Sequence, residues 1–335
     1  MQKPTILGYV TNRSLPMVTQ EDALGLTHIN LAFGVIRDGL LDLSGLPDLE
    51  RIQTIRAYNP DIRIVLSVGG WGAGGFSNMS MTKGGRHAFA GSVERALDQH
   101  ALDGVDIDWE YPCSDQAEID ADPRDRENFT HLLQALRDVA GERIVSIAAG
   151  AGDYFVRDTE MAEVSKICTY VQLMTYDMRS GFCTQAGHHT ALFPSTGGAD
   201  GRDAMSVVEL FHQAGVPYEK LILGAAFYAR HWLGVPDVNH GLFQPAATVG
   251  KSGPGYAALA AGYIDQNGWT RYWDDEAKAP YLFNGSEFIS YDDCHSIRHK
   301  CAYVKEKGLG GIMYWEHGCD DTHTLLNTMV DCLTA

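Results

Sequence analysis

Eight short apolar runs alternate with amphipathic helical patterns along this 335-residue chain. Continuous apolar runs separated by helices predict a parallel sheet that is covered by helices on both faces. Eight such units are typical of a (β/α)8 TIM barrel, so the sequence predicts an α/β fold of that class. The predicted strands are 5–10, 27–33, 62–68, 104–109, 143–149, 170–176, 221–228 and 310–315.

The chain is longer than the roughly 250 residues that a plain barrel needs. The surplus lies between the seventh strand and its helix, over residues 231–290, and it is rich in aromatic residues, glycine and short β-like runs. A structureless loop of that length is uncommon in a compact domain. We therefore predict a catalytic barrel formed by residues 1–230 and 291–335, with a small α+β insertion subdomain at 231–290.

The fourth predicted strand carries an unusual row of acids. Asp106, Asp108 and Glu110 share one face because side chains alternate along a strand. Crowded carboxylates inside a protein cannot all ionise, so some of their pKa values must rise, and such arrangements cluster at functional sites. Asp103 is out of phase and is predicted to bond backbone groups where the strand begins. Two alternatives stay open here: a solvated strand face and a divalent-metal site with oxygen ligands.

Polar and aromatic residues gather at the carboxyl ends of the predicted strands, which is the face where barrel active sites lie. Aromatic rings stack on the apolar faces of sugar rings, and carboxylates perform acid/base chemistry on glycosidic bonds. The pattern therefore predicts a sugar site with Glu110, nearest the barrel mouth, as the proton donor. Asp106, the deepest acid, is predicted to share a proton with Asp108.

Composition narrows the class of partner. A net charge of −17 argues against nucleic acid and against an anionic membrane surface, because both are bound by basic patches. No apolar run reaches the length of a membrane span. No signal-peptide pattern precedes the strand at 5–10, and the seven cysteines are an odd number, so reduced thiols and a cytoplasmic location are expected, with leaderless secretion as the alternative.

Four segments resemble motifs of family 18 glycoside hydrolases, the chitinase-type enzymes. The acidic row from Asp103 to Glu110 resembles their fourth-strand signature. Residues 67–70 (Ser-Val-Gly-Gly), 172–177 (Gln-Leu-Met-Thr-Tyr-Asp) and 311–316 (Gly-Ile-Met-Tyr-Trp-Glu) resemble their motifs on strands three, six and eight. Residues 227–230 are similar to their seventh-strand segment, and the insertion resembles the subdomain of their deep-cleft members.

The resemblance implies a retaining mechanism without a protein nucleophile, in which the substrate's own 2-acetamido oxygen attacks the anomeric carbon and forms an oxazolinium ion. It implies that Glu110 acts as acid and then base, that Asp108, backed by Asp106, orients the acetamido N–H, and that Tyr176 donates to the acetamido oxygen. It also implies a set of substrate-binding residues: Tyr9, Phe33, Gly70, Trp71, Tyr111, Met174, Asp177, Arg230 and Trp315.

The expected activity is that of a chitinase that cleaves β-1,4 bonds of N-acetylglucosamine polymers or oligomers. Chitin or a chito-oligosaccharide is the expected substrate, with no cofactor and no metal, and a monomer is the expected state. The alternatives are an endo-β-N-acetylglucosaminidase acting on N-glycans and a chitin-binding, lectin-like protein without activity. Phe182 stands where related chitinases carry a Trp, so the leaving-group side is expected to bind sugars differently. His188 and His189 are interpreted as solvated loop residues.

Overall fold

The computed structural model describes residues 4–198 and 202–334 of the chain. The strands in these residues are β1 (Thr5–Thr11), β2 (His28–Arg37), β3 (Leu40–Asp42), β4 (Arg63–Gly69), β5 (Gly104–Asp108), β6 (Ile144–Gly150), β7 (Tyr170–Met174), β8 (Leu221–Ala226), β9 (Tyr228–Leu233), β10 (Lys251–Gly255), β11 (Thr270–Asp274), β12 (Ala279–Phe283), β13 (Glu287–Ser290) and β14 (Gly311–Trp315). The α-helices are α1 (Gln20–Gly25), α2 (Arg51–Tyr58), α3 (Phe76–Ser80), α4 (Lys83–Gln99), α5 (Asp125–Ala140), α6 (Asp153–Arg157), α7 (Met161–Ile167), α8 (Ala204–Gln213), α9 (Tyr256–Gly262), α10 (Cys294–Lys307) and α11 (Thr324–Thr334).

Eight of these strands form a closed parallel barrel. Strand β1 pairs with both β14 and β2, so the sheet β1-β14-β8-β7-β6-β5-β4-β2 has no free edge. Helices lie between successive strands along the chain, which confirms the predicted (β/α)8 barrel. No helix within the described residues is both long and apolar enough to cross a bilayer.

The ends of the predicted barrel strands differ from the observed ones by two residues at most, except at the end of β2, where the difference is four. Strand β2 was expected to end at Phe33, but it continues to Arg37 and pairs with β3 as an antiparallel hairpin. The two loop residues, Asp38 and Gly39, both have positive φ angles of 51° and 75°. An Asp-Gly pair in this conformation is a favoured two-residue hairpin turn, so this local signal was present in the sequence.

Strand β5 separates two environments as its alternation predicted. Val105, Ile107 and Trp109 are buried on the side that faces the helices, where the Trp109 ring stacks on Phe76 at a centroid distance of 5.2 Å. Asp106 belongs to the opposite face and is completely buried inside the barrel. The strand therefore packs with its apolar face and turns its acids toward the barrel axis.

Asp103 takes the structural role that was predicted for it. Its Oδ2 accepts a hydrogen bond from the backbone N–H of Ile64 at 2.8 Å, where β4 begins. The same carboxylate pairs with Arg56 at 2.8 Å and Arg63 at 3.1 Å. Asp103 thus joins two neighbouring strands at the end of the barrel opposite the acidic row.

A second, five-stranded antiparallel sheet lies in the chain between β8 and α10, with the order β10-β9-β13-β12-β11. Its small core is built from buried aromatic residues, among them Trp232, Tyr281 and Phe288. The position of this sheet and the presence of α9 agree with the predicted α+β insertion. The sheet already begins at Tyr228, and the division of the chain into domains at residues 231 and 290 stays a prediction.

Candidate active site

Asp106 lies at the centre of a hydrogen-bond cluster drawn from four other strands. Its Oδ2 accepts from the hydroxyls of Tyr9 at 2.9 Å and Ser67 at 2.8 Å. Its Oδ1 accepts from the Ser146 hydroxyl at 2.8 Å and from Nε2 of Gln172 at 2.7 Å. Burial raises the pKa of Asp106, and these four hydrogen bonds oppose the rise. Four donors directed at two oxygens favour the carboxylate form.

The proton that Asp106 and Asp108 are predicted to share stays a prediction. Each oxygen of Asp106 accepts two hydrogen bonds from side chains of other strands. Oδ1 of Asp108 is buried without a hydrogen-bond partner. Burial first, and then the charges of Glu110 and Asp106, raise the pKa of Asp108 well above its usual range. Burial thus raises the pKa of both aspartates, and the hydrogen bonds to Asp106 oppose the rise there, whereas Asp108 has no such support.

Glu110 lies two residues beyond the end of β5, at the barrel mouth. Burial raises its pKa to about 7; a hydrogen bond from Tyr111 opposes the rise, and the charge of Asp177 adds to it. A carboxyl group with such a pKa is still protonated when the surrounding solution approaches neutrality. Glu110 can therefore donate a proton under conditions in which an ordinary Glu is ionised.

Asp177 is held as a carboxylate beside this acid. Nε and Nη2 of Arg230 donate to its two oxygens, each at 2.5 Å, in a bidentate pair. Burial alone would raise the pKa of Asp177, but its hydrogen bonds and charge interactions with His189 and Arg230 lower that pKa well below the usual range. A fixed negative charge near Glu110 helps to keep the proton on Glu110.

The interpretation of His188 and His189 as solvated loop residues is wrong. Both are buried, with 5% and 0% of their surface exposed. Nε2 of His188 lies 3.0 Å from Oδ2 of Asp274, and Nδ1 of His189 lies 3.5 Å from Oδ1 of Asp177. Each histidine is buried because the tertiary fold supplies a carboxylate partner from another segment of the chain.

Aromatic rings form one side of the mouth. Trp315 stacks on Phe33 with a centroid distance of 5.5 Å and an angle of 18°, and it lies 5.6 Å from Tyr9. Met174 and Tyr176 are 8% exposed and belong to the same interior cluster as Tyr9. The structure thus brings the predicted aromatic residues together at one end of the barrel.

The Gly69–Gly70 pair allows β4 to approach β5 closely. The N–H of Gly70 donates to the carbonyl of Asp108 at 2.9 Å. A Cβ atom on Gly69 would lie 2.0 Å from the same carbonyl oxygen, and one on Gly70 would lie 2.8 Å from the Phe33 ring. Both glycines also have positive φ angles, of 125° and 94°, so a side chain at either position would be strained.

Trp71 extends from this turn and is 53% exposed. Its ring lies 6.3 Å from that of Tyr111 and 6.1 Å from that of Phe182, measured between centroids. Phe182 is itself 69% exposed. Exposed large aromatic rings that approach one another beside a cluster of buried acids can stack on sugar rings.

Sequence reasoning did not assign roles to four residues that the fold brings into the site. Ser67, Ser146 and Gln172 donate to Asp106, and the Tyr228 ring packs edge-on against Tyr176 at a centroid distance of 6.0 Å. The available signal was their position in the alternation of inward-facing and outward-facing residues along a strand. A polar residue on the inward face of a barrel strand needs a partner inside the barrel. This alternation does not indicate which residue the partner is.

The donors around Asp106 also bear on the metal alternative. Within residues 4–198 and 202–334, no group of three His, Cys, Asp or Glu side chains is arranged to hold a metal ion. The two oxygens of Asp106 are committed to hydroxyl and amide donors, so this carboxylate does not fit a metal ligand. What the arrangement can perform is proton transfer by Glu110 next to two buried aspartates.

Comparisons with known proteins agree with this chemistry. The sequence profile described as "Glycosyl hydrolases family 18" matches residues 5–320. Chitinase A1 of Niallia circulans is 36% identical over 307 residues, which cover 84% of this chain but 44% of that protein. Chitotriosidase-1 of Mus musculus is 31% identical over 317 residues, covering 88% of this chain and 67% of that protein. The chain thus spans less than half the length of the bacterial relative.

A solved structure resembles the whole chain. It is described as a glycoside hydrolase family 18 N-acetylglucosaminidase from Paenibacillus barengoltzii, and it is 51% identical with a TM-score of 0.97, covering 98% of this chain and 100% of that one. The family profile covers all the barrel strands, from β1 to β14, and includes the acidic row on β5. The chain therefore belongs to the glycosyl hydrolases of family 18.

Proposed function

We propose that the chain is a chitinase, a retaining glycoside hydrolase that cleaves β-1,4 bonds next to N-acetylglucosamine in chito-oligosaccharides. The observation that carries the proposal is Glu110, a half-buried acid at the barrel mouth whose desolvation raises its pKa to about 7. The chitinases and the chitotriosidase among the relatives support the substrate class.

The reaction begins with proton transfer from Glu110 to the leaving oxygen. The 2-acetamido oxygen of the substrate attacks the anomeric carbon, and an oxazolinium ion forms. Asp108 orients the acetamido N–H and, next to the anion Asp106, stabilises the developing positive charge. Tyr176 donates to the acetamido oxygen. Glu110, now ionised, takes a proton from water, and the water opens the oxazolinium ion with retention of configuration.

The remaining predicted residues line the sugar subsites in this proposal. Trp315, stacked on Phe33, is the floor under the reacting sugar, because its ring lies at the mouth next to Tyr9. The other side is supplied by exposed Trp71 and its neighbour Tyr111. The further substrate-binding residues of the proposal are Gly70, Met174, Asp177 and Arg230.

A second candidate is an enzyme that releases single N-acetylglucosamine units from chain ends. The observation that favours it is the 51% identity, over the full length, to the Paenibacillus barengoltzii protein described as an N-acetylglucosaminidase. Both candidates share the same acid and the same acetamido route, and they differ in where the chain is cut. Cleavage of N-glycans and sugar binding without cleavage are the two further alternatives.

The experiment is an analysis of products from defined chito-oligomers of two to six units by mass spectrometry, after labelling of one chain end. Internal cleavage supports the chitinase, and release of monomers alone supports the second candidate. Glu110→Gln is the matched control and must lose turnover while it still binds oligomers. Cleavage of a high-mannose N-glycan in preference to chito-oligomers would overturn the proposal, and so would sugar binding without any hydrolysis by the unmodified protein.

A further inference from the structure

A chain of two buried amides leads from β2 through β7 to the deepest acid of the site. Nδ2 of Asn30 donates to Oε1 of Gln172 at 3.0 Å. Nε2 of Gln172 donates to Oδ1 of Asp106 at 2.7 Å and to the Ser146 hydroxyl at 3.3 Å. All four residues have no exposed surface. Asn30 is 142 residues from Gln172 in sequence, so only the closed barrel brings them into contact.

These contacts fix which way the Gln172 amide points. If the amide turned over, its oxygen would face the carboxylate of Asp106 and its N–H groups would face the Asn30 Nδ2. Two favourable hydrogen bonds would be replaced by two repulsive contacts in a site without solvent. Asn30 and Asp106 therefore both favour the orientation in which Gln172 presents a donor, and not an acceptor, to Asp106, although Oδ1 of Asn30 is itself buried without a hydrogen-bond partner.

The other groups around Asp106 show why its charge matters. The titratable side chains that interact with it are Tyr9 of β1, Asp108 of β5, Cys168 before β7, Tyr170 of β7 and Tyr176 after it. None of these residues, all within the described part of the chain, is basic, so none of them compensates a charge on Asp106. Neutral donors alone maintain this anion against the cost of burial.

We propose that Asn30 and Gln172 are positioning residues of the reaction: together they hold Asp106 as the carboxylate that the site requires, so that the proton stays on its neighbour Asp108. This inference rests on the proposed function, because it assumes that the acidic row performs the catalysis. Neither residue contacts the reacting atoms in this scheme. They act through Asp106 alone.

The first test is the pH profile of kcat/KM for chito-oligomer hydrolysis. Gln172→Met keeps the shape of the side chain but removes the donor to Asp106, so Asp106 gains its proton at a higher pH. We expect the acidic limb of the profile to move upward by about one pH unit, the tenfold change in a proton equilibrium that corresponds to one hydrogen bond to a charged group. Asn30→Leu keeps the Gln172 amide as a donor but removes the hydrogen bond between Asn30 and that amide. The acidic limb of this variant should therefore move upward by less than that of Gln172→Met.

Controls separate this role from a structural one. Ile222→Val changes the packing of an apolar residue in the interior cluster and should leave the acidic limb at the wild-type pH. A merely structural role for Gln172 would lower the melting temperature and kcat and leave the limb unmoved. If Gln172→Met does not fold, Ser146→Ala removes another donor to the same oxygen and should give the same upward shift.

A second readout does not depend on activity. The ¹³C-carboxyl resonance of Asp106, assigned by its absence in Asp106→Asn, should titrate at a higher pH in Gln172→Met than in the wild type. Folded variants with the wild-type acidic limb and the wild-type Asp106 titration would overturn the inference. If the wild type cleaves no chito-oligomer, the proposed function fails, while the resonance still decides whether Gln172 holds Asp106 as an anion.

Discussion

Replacing Glu110 by Gln should make the protein more stable above neutral pH while it strongly lowers turnover. The pKa of Glu110 rises from the ordinary value of 4.5 to about 7 on folding, chiefly because the group is buried. A carboxyl group whose pKa is raised in the folded state destabilises that state once the unfolded chain ionises. This destabilisation is absent well below the pKa that Glu110 has in the unfolded chain. It grows between the two pKa values and is complete above the pKa that Glu110 has in the folded protein.

The size of the effect follows from this difference in pKa. The penalty is about 0.8 kcal/mol near pH 5 and about 3.3 kcal/mol near pH 8, as an order-of-magnitude estimate. Glu110→Gln removes it, so the stability gap between variant and wild type should widen by about 2.5 kcal/mol between these pH values. For a chain of this length, that corresponds to a change of about 3–4 °C in the difference between melting temperatures.

The assay is thermal unfolding of both proteins at the two pH values, followed by circular dichroism. Glu142→Gln, which removes an exposed carboxyl on the surface, is the control and should show no widening. The same Glu110→Gln sample should lose about 10²–10⁴-fold in turnover, the range for removal of a general acid. A gap that is the same near pH 5 and near pH 8 would show that Glu110 is not a buried acid with a raised pKa.

Three further predictions test the mechanism and the fold. A thiazoline analogue of the oxazolinium ion should inhibit competitively and bind far more tightly than substrate. Cello-oligomers, which lack the acetamido group, should not be cut. Cleavage of cello-oligomers at a rate comparable to that of chito-oligomers would refute the acetamido route. Trp315→Ala should lower kcat/KM by about 10²-fold with kcat itself reduced, whereas a folded variant with unchanged kcat would make Trp315 a packing residue. Lys300→Met should remove the counter-ion of the completely buried Asp292, whose carboxylate lies 2.6 Å from the Lys300 ammonium. The loss should cost about 3–5 kcal/mol of stability and lower the melting temperature by several degrees. An unchanged melting temperature would contradict the buried ion pair.

Periodicity was sufficient for the architecture. Apolar runs of strand length separated by amphipathic helices allow few arrangements other than a parallel sheet covered on both faces, and eight of them close into a barrel. Where the prediction failed, at the end of β2, the turn residues Asp38 and Gly39 carried a signal that the apolar pattern alone did not include. Local rules of this kind operate within a few residues, so they are readable from a single sequence.

The chemistry of the acidic row could also be anticipated. The period of a strand puts Asp106, Asp108 and Glu110 on one face, and crowding of buried carboxylates requires raised pKa values. The structure assigns such values to all three, with Glu110 at about 7. The proton that Asp106 and Asp108 are predicted to share stays a prediction, and the sequence did not show which donors reach Asp106.

Those donors come from residues that are 97, 39, 40 and 66 positions away in the chain: Tyr9, Ser67, Ser146 and Gln172. In the same way, the pairing of Asp177 with Arg230 and the burial of His189 depend on segments that meet only when the barrel closes. The sequence by itself determined the fold class, the acidic face and the acid at its mouth, because these follow from the period of a strand. Only the tertiary structure decided which donors surround Asp106 and that Asp108 is left without them, because such partners are distant in sequence and adjacent in space.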